Sequence, residues 1–346
     1  MINFSEAFFD KISIHSIGSK VEHEGVKFSE TETEISDETL RNLMLQYFFH
    51  SFKTPEYYAF DFSNGDLSLN AVHEFVDKIF NGEEVFEISN SIAKHLYDKS
   101  NHPNIKPGEL MICHVQDLLI DDEMLDAVVI VKSESKDDFL KIISKNQSFD
   151  IERDQGIFAG KLDKACIVFN TEKESGYKLC IIDKTSSQSD AVFWKEDFLN
   201  VINRSDDFHK TKDFIHATKT FIKDRLNPIY EMDKTDEAAI LNRSKAFFNQ
   251  EEDFNAENYA QEVFQDEKVT ALFAEYKDDL RQEKNVELPD NFAVSPAAVK
   301  NYSKVFKSVI KLDKNFHIYV HGDRNLIEKG NEDGRKFYKI YYDEEK

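Results

Sequence analysis

Five lysines near the C-terminus, Lys300, Lys304, Lys307, Lys311 and Lys314, recur at spacings of 4, 3, 4 and 3. On a helix such spacing stacks side chains into one stripe, and a stripe of cations is what contact with a phosphate backbone requires. Asp313 alone offsets them, so the local charge is near +4. An ordinary solvated face carries the same pattern, and a change from helix to strand near Ser308 would interrupt it. A second basic row appears when residues 207–226 are wound at 3.6 residues per turn: Lys212, His216, Lys219 and Lys223 fall opposite Phe214, Thr218, Phe221 and Ile222. The same helix gathers His209, Asp213 and His216 in one sector, a two-His-one-carboxylate set in composition. That sector points away from the apolar stripe into water, so no metal is expected there.

Signals for catalysis are weaker. Gly156-Ile-Phe-Ala-Gly160-Lys161 is one residue short of a phosphate-binding loop, and Leu162 stands where Ser or Thr would hold magnesium. Neither GxSxG nor HExxH occurs. Asp121 or Asp122 with Glu134-Ser135-Lys136 is compatible with a metal-dependent nuclease, but 66 acidic residues produce such patterns readily, and Glu275-Tyr276-Lys277 repeats the tripeptide without context. No catalytic residue, metal ligand or cofactor is expected. An acidic stretch, Glu22, Glu24, Glu30, Glu32, Glu34, Asp37 and Glu38, would present a negative ladder to a basic partner if residues 30–34 are extended.

The chain that must position these groups has 346 residues, enough for two domains. Its formal charge of -22 repels nucleic acid and anionic lipid as a whole. The charge is segregated, however. Residues 231–290 hold 17 acids and 7 bases, whereas residues 291–346 hold 8 acids and 11 bases. Screening over a Debye length of about 8 Å means that a phosphate meets mainly the local patch. Cys113, Cys166 and Cys180 are odd in number and lack CxxC spacing, which points to buried reduced thiols. No apolar run approaches the length of a membrane span, and the start has no basic leader, so a cytoplasmic protein with no membrane partner is expected.

Hydrophobic periodicity predicts a hairpin from Ile12–Ile17 and Val26–Phe28, then a helix capped by Ser36 with Leu40, Leu43, Met44, Tyr47 and Phe48 on one stripe. Helices near residues 67–80 and 86–99 precede strands at 109–115, 124–132, 156–158, 164–170 and 177–183, with a short helix at 137–143. Successive strands without long intervening helices favour an antiparallel sheet. A helix over 207–226 stops at Asn227-Pro228, which sets the expected boundary between domains 1–228 and 229–346. Beyond it come helices at 236–249, 255–264 and 267–284, and a helix opening at Ser295-Pro296. Alternation over 316–321, a turn region over 322–334 and a strand over 336–342 close the chain. The expected fold class is α+β: an antiparallel sheet flanked by helices, plus a smaller helical domain ending in a hairpin-like sheet.

Three stretches carry a resemblance. Ile12-Ser-Ile-His-Ser-Ile-Gly-Ser-Lys20 with Gln46-Tyr-Phe-Phe49 comes first. Lys164-Ala-Cys-Ile-Val-Phe-Asn170, Gly176-Tyr-Lys-Leu-Cys-Ile-Ile-Asp183 and Phe193-Trp-Lys-Glu-Asp-Phe-Leu199 follow. Last is Lys311-Leu-Asp-Lys-Asn-Phe-His-Ile-Tyr-Val-His-Gly322, continuing through Arg324-Asn-Leu-Ile-Glu-Lys-Gly330 to Phe337-Tyr-Lys-Ile-Tyr341. In this order they resemble an opening hairpin and first helix, a central sheet and a C-terminal signature of bacterial nucleoid-associated proteins of the NdpA/YejK type. The resemblance implies a cytoplasmic, nucleoid-located protein that contacts DNA or the machinery acting on it and takes part in chromosome organisation, without a catalytic motif. The expected function is sequence-independent DNA binding through Lys300, Lys304, Lys307, Lys311, Lys314, Lys212, Lys219 and Lys223, with self-association open. Two alternatives stand beside it: an acidic adaptor docking on basic surfaces of DNA-processing enzymes such as topoisomerases, and a metal-dependent nuclease.

Overall fold

Strand runs with apolar residues on both faces dictate the centre of the first part of the chain. The computed structural model describes residues 2–53, 56–62, 65–120, 123–145, 148–184, 193–230, 232, 234–284, 286–306, 309–312, 316–319, 326–342 and 344. It divides into two compact units, residues 1–204 and 205–346. In the first unit, strands β1 (Ile2–Asn3), β2 (Lys11–Ile17), β3 (Val26–Lys27), β4 (Thr33–Glu34), β5 (Tyr57–Phe60), β6 (Gly108–Ile120) and β7 (Glu123–Ser133) are joined by β10 (Lys164–Phe169), β11 (Lys178–Asp183) and β12 (Val201–Asn203). They build one antiparallel sheet in the order β12-β5-β11-β10-β7-β6-β2-β3, with β1 on β6 and β4 on β2. Strands β8 (Asp137–Lys145) and β9 (Ser148–Gly156) form a hairpin of their own outside that sheet.

Alternation splits the central strands between two cores. Cys113, Val115, Val129, Val131, Ile167 and Phe169 face helix α1 (Glu38–Phe49) through Leu45 and Phe48. Leu110, Ile112, Val128, Ile130, Cys166 and Val168 face α2 (Ala71–Phe80) and α3 (Val85–Lys99) through Val72, Val76, Ile92 and Leu96. The sheet is therefore covered on both sides, which is why Ala127–Val131 reads as an unbroken apolar run. All three cysteines are buried free thiols, and burial pushes their pKa values up.

Several expected elements are corrected. Residues 137–143 form a strand, not a helix, because Leu140 and Ile142 pair in register with Arg153 and Ile151 on the partner strand. Asp37, not Ser36, caps α1, accepting from the backbone N–H of Thr39 and Leu40 at 2.8 and 3.3 Å. Leu40 and Leu43 of the expected stripe are exposed. The Glu30 to Glu34 ladder does not form, since the paired segment is confined to Thr33 and Glu34. Phe193–Leu199 is a π-type helical turn, not part of the sheet; Trp194 and Phe198 bury their rings, 4.8 Å apart, in the second core.

The second unit opens with helix α4 (Asp207–Phe221), continued by a π-type segment (Ile222–Leu226) and a short turn (Asn227–Tyr230). The helical path thus runs through Pro228 rather than stopping there. Asn227 N–H already bonds Ile222 O in the wider π pattern, so the donor that proline lacks falls where the ladder is irregular. The division of the chain falls before this helix, not at 228: Phe214, Ile215, Phe221 and Ile222 pack into an aromatic core with Phe247, Phe248, Phe254, Tyr259, Phe273 and Phe292. Those residues come from α5 (Lys234–Gln250), α6 (Ala256–Phe264), α7 (Glu267–Lys284) and the small ladder β13 (Asp253–Asn255) with β14 (Asn291–Ala293). Tyr259 hydroxyl sits at the middle, 2.7 Å from both Thr218 Oγ1 and Ser244 Oγ. Two hairpins follow, β15 (Val309–Leu312) with β16 (Phe316–Tyr319) and β17 (Ile327–Glu332) with β18 (Arg335–Ile340). Residues 327–332, expected within a turn region, are therefore strand. The turn itself is Asp333-Gly334, both at positive φ, as a tight two-residue hairpin needs.

Candidate nucleic-acid interface

Helix α8 (Pro296–Asn301) begins as the dipeptide Ser295-Pro296 dictates: Ser295 Oγ accepts from Ala298 N–H at 3.3 Å with proline in the first turn. The helix is short. A 3-10 turn (Ser303–Phe306) follows, and β15 begins at Val309, so no single helix stacks the five C-terminal lysines. Lys300 and Lys304 are exposed on α8 and the turn after it. Lys311 lies on β15 opposite His317, while Lys307 and Lys314 lie outside the described residues.

Segment 295–305 lies along one side of α4. Ser295 N–H donates to Thr211 Oγ1 at 3.0 Å, Lys212 Nζ stands 5.7 Å from the centre of the Tyr302 ring, and His216 meets the same ring edge-on at 5.2 Å. Lys219 Nζ donates to Val305 O at 3.0 Å. Positions 211/212, 216 and 219 of α4 therefore meet 295, 302 and 305 in step. Two basic groups almost ninety positions apart in sequence, Lys212, Lys219 and Lys223 on one element and Lys304 on the other, end on adjoining surface. Tyr302, absent from the sequence-based candidates, organises the contact: its ring is the platform on which Lys212 and His216 rest. Among the described residues no ion pair engages Lys223, Lys300 or Lys304, so these ammonium groups are presented to solvent. Lys300 differs in setting. It lines an open groove of about 650 Å³ together with Lys245, Glu251 and Glu252, whose charges balance one another.

His209 departs from expectation. It is buried rather than wet, and its Nδ1 donates to Asp206 at 2.9 Å, so the ring serves the start of α4. Among the described residues no group of three His, Cys, Asp or Glu side chains is placed to hold a metal ion.

The carboxylate of the nuclease reading has a structural role as well. Lys132, Glu134, Lys164 and Asp183 form a buried, charge-balanced cluster at one end of β7, β10 and β11, each side chain at most 4% exposed. Lys132 Nζ donates to Glu134 Oε1 at 2.8 Å and to Lys106 O at 2.6 Å, and Lys164 Nζ to Asp183 Oδ1 at 3.0 Å. Burial pushes the Lys132 ammonium down while Glu134 pulls it back up. Asp163 accepts from Glu134 N–H, Ser135 N–H and the Ser135 hydroxyl at 2.7–2.9 Å. Lys136 is drawn to Glu109 instead, at 2.5 Å. Glu134 and Lys136 thus point to separate ion pairs; Asp121 and Asp122 lie outside the described residues.

Compared with known families, residues 13–346 match the model of the family described as nucleoid-associated protein YejK. The chain belongs to that family. The match takes in all of the second unit and nearly all of the first, so neither unit is a foreign appendage, and the association is with the nucleoid. A search of curated proteins finds no match. No helix among the described residues is long and apolar enough to cross a membrane.

Proposed function

We propose that this nucleoid-associated protein binds duplex DNA directly, without sequence preference and without catalysis, through the second unit. Lys212, Lys219, Lys223 and Lys304 contact phosphates and Lys300 flanks them; Lys307, Lys311 and Lys314 are proposed as further phosphate contacts. The observation that carries the reading is the convergence of α4 and segment 295–305, which turns two modest basic rows into one patch on a chain of net charge -22. Lysine is suited to this task as a mobile point charge that follows a backbone rather than reading bases. The location is the nucleoid, and hence the cytoplasm.

Duplex binding titrated against salt tests it. Each neutralised phosphate contributes about -0.9 to the slope of log K against log salt, so four lysines predict a slope of about -3 to -4. Lys219→Glu with Lys304→Glu should flatten that slope and weaken binding for every sequence alike; an unchanged slope overturns direct contact.

A second reading is favoured by the exposed carboxylates at Glu22, Glu24, Glu30 and Glu34 and by the net charge of -10 over residues 231–290. In it the acidic surface docks on basic regions of DNA-processing enzymes. Pull-down from nuclease-treated lysate separates the two, because an adaptor keeps its partners when DNA is removed.

A further inference from the structure

The two faces of hairpin β17–β18 differ in kind. Ile327 and Tyr338 share one face and turn it toward the small core around Ala238 and Ile310. On β18 the other face carries Arg335, Phe337 and Lys339. Tyr341 continues the series, because its N–H still donates to Leu326 O at 2.8 Å and its ring lies 4.8 Å from Lys339 Nζ. Phe337 stands directly opposite Gly330, where a Cβ would collide with its ring. The missing side chain lets that ring lie on the β17 backbone, and it remains 40% exposed, as Tyr341 is 39% exposed. Four residues of strand set the two rings about 13 Å apart, with an ammonium group between them.

We infer that this face binds single-stranded DNA, with unpaired bases stacking on Phe337 and Tyr341 while Lys339 and Arg335 meet phosphates. The order aromatic, cation, aromatic along one strand matches a ligand that alternates bases with phosphates, and stacking accepts any base because each has a π-face. Charge decides between single strand and duplex. Arg335 and Lys339 are matched by Glu332 and Glu328 across the ladder, so the face is electrically neutral. A duplex hides the faces of its bases and has charge alone to bind by, so it gains little here, whereas a single strand gains the stacking. The pair Lys339–Glu328 is long, at 3.9 Å, and both side chains are more than half exposed, so a phosphate displaces the carboxylate at little cost. Membership of a nucleoid-associated family favours DNA over RNA as the strand. The site shares no residue with the duplex-binding patch.

Fluorescence anisotropy of a labelled oligothymidylate of about 20 nucleotides, titrated with the full chain, tests the site. The Lys219→Glu, Lys304→Glu background takes the duplex patch out of the readout. There the oligonucleotide should still bind, with a salt slope of about -1.4 for two cations on a single strand. Phe337→Leu, which still covers Gly330, and Tyr341→Leu should each weaken that binding about fivefold or more, and Tyr341→Trp should retain it. Circular dichroism should be unchanged throughout, and so should duplex binding when the same changes are made in the otherwise wild-type chain. Failure of the duplex reading leaves these results in place, so the two fail separately. No binding of the oligothymidylate in that background, an affinity indifferent to both leucine variants, or tighter binding of an oligouridylate of the same length overturns the inference.

Discussion

Charged and titratable side chains in the first unit are mostly spent on holding the sheet. Lys132 and Glu134 neutralise one another where the strands end, and removing one member leaves the other charged in a place water does not reach. Lys132→Ala is expected to lower unfolding free energy by about 3–5 kcal/mol in urea titrations, and replacing both residues by apolar ones of similar size far less. Three imidazoles, His15, His73 and His95, are held below the ordinary histidine value chiefly by burial. For His73, Asp77 and Glu74 pull the other way and Lys173 adds to the burial effect. The unfolded chain takes up protons near pH 6.5 while the folded chain resists, so the unfolded state binds more protons and stability falls as pH drops below about 6.5. His73→Phe, which sits among Phe60 and Tyr177, should remove part of that decline between pH 6.5 and 5, read as urea midpoints. None of these placements was legible in the sequence. A lysine in Val-Ile-Val-Lys132 looks like the polar end of a strand, and its burial depends on Lys106, Glu134 and Lys164 arriving from elsewhere.

Elements were read more reliably where a local device defines them. The N-cap of α8, the long helices of the second unit and the central strands follow from caps and periodicity. Asp333-Gly334 is a hairpin signal local to the chain, and the period of two in β8 and β9, Leu140 and Ile142 then Phe149 and Ile151, is another. Gly176 is an element-scale device: at φ +86 it lets the chain turn from β10 into β11 against β5, where a Cβ would run into the carbonyl of Phe60. Gly176→Ala should cost about 2 kcal/mol or more and broaden the thermal transition. In the second unit, Tyr302→Ala removes the platform under Lys212 and His216 without touching a lysine. It should weaken duplex binding several-fold while leaving the salt slope nearly unchanged, whereas Lys219→Glu changes the slope itself.

At the scale of the molecule, each unit owns its core. The first has a sheet covered by helices on both faces; the second has an aromatic cluster knit around Tyr259, whose hydroxyl burial pushes up to about 12. Residues 205–346 should therefore unfold cooperatively as an isolated fragment, and should bind duplex with the salt slope of the full chain. A fragment that folds but binds more tightly would show the acidic remainder acting as a competitor for the basic patch. Tyr259→Phe should lower the fragment's stability by about 1 kcal/mol, since Thr218 and Ser244 lose their shared partner.

Sequence by itself determined the segregation of charge, the antiparallel sheet, the helices of the second unit and the family. These rest on composition, period and local caps, which are properties of neighbours in the chain. Tertiary structure alone decided that α4 belongs to the second unit, that His209 is buried, that Lys219 and Lys304 lie close together and that Leu140, Ile142, Phe149 and Ile151 of the β8–β9 hairpin are exposed. The physical reason is the same in each case. A periodic pattern records which face of an element is apolar, but the element that comes to cover that face, or fails to, is chosen by contacts between residues far apart in the chain.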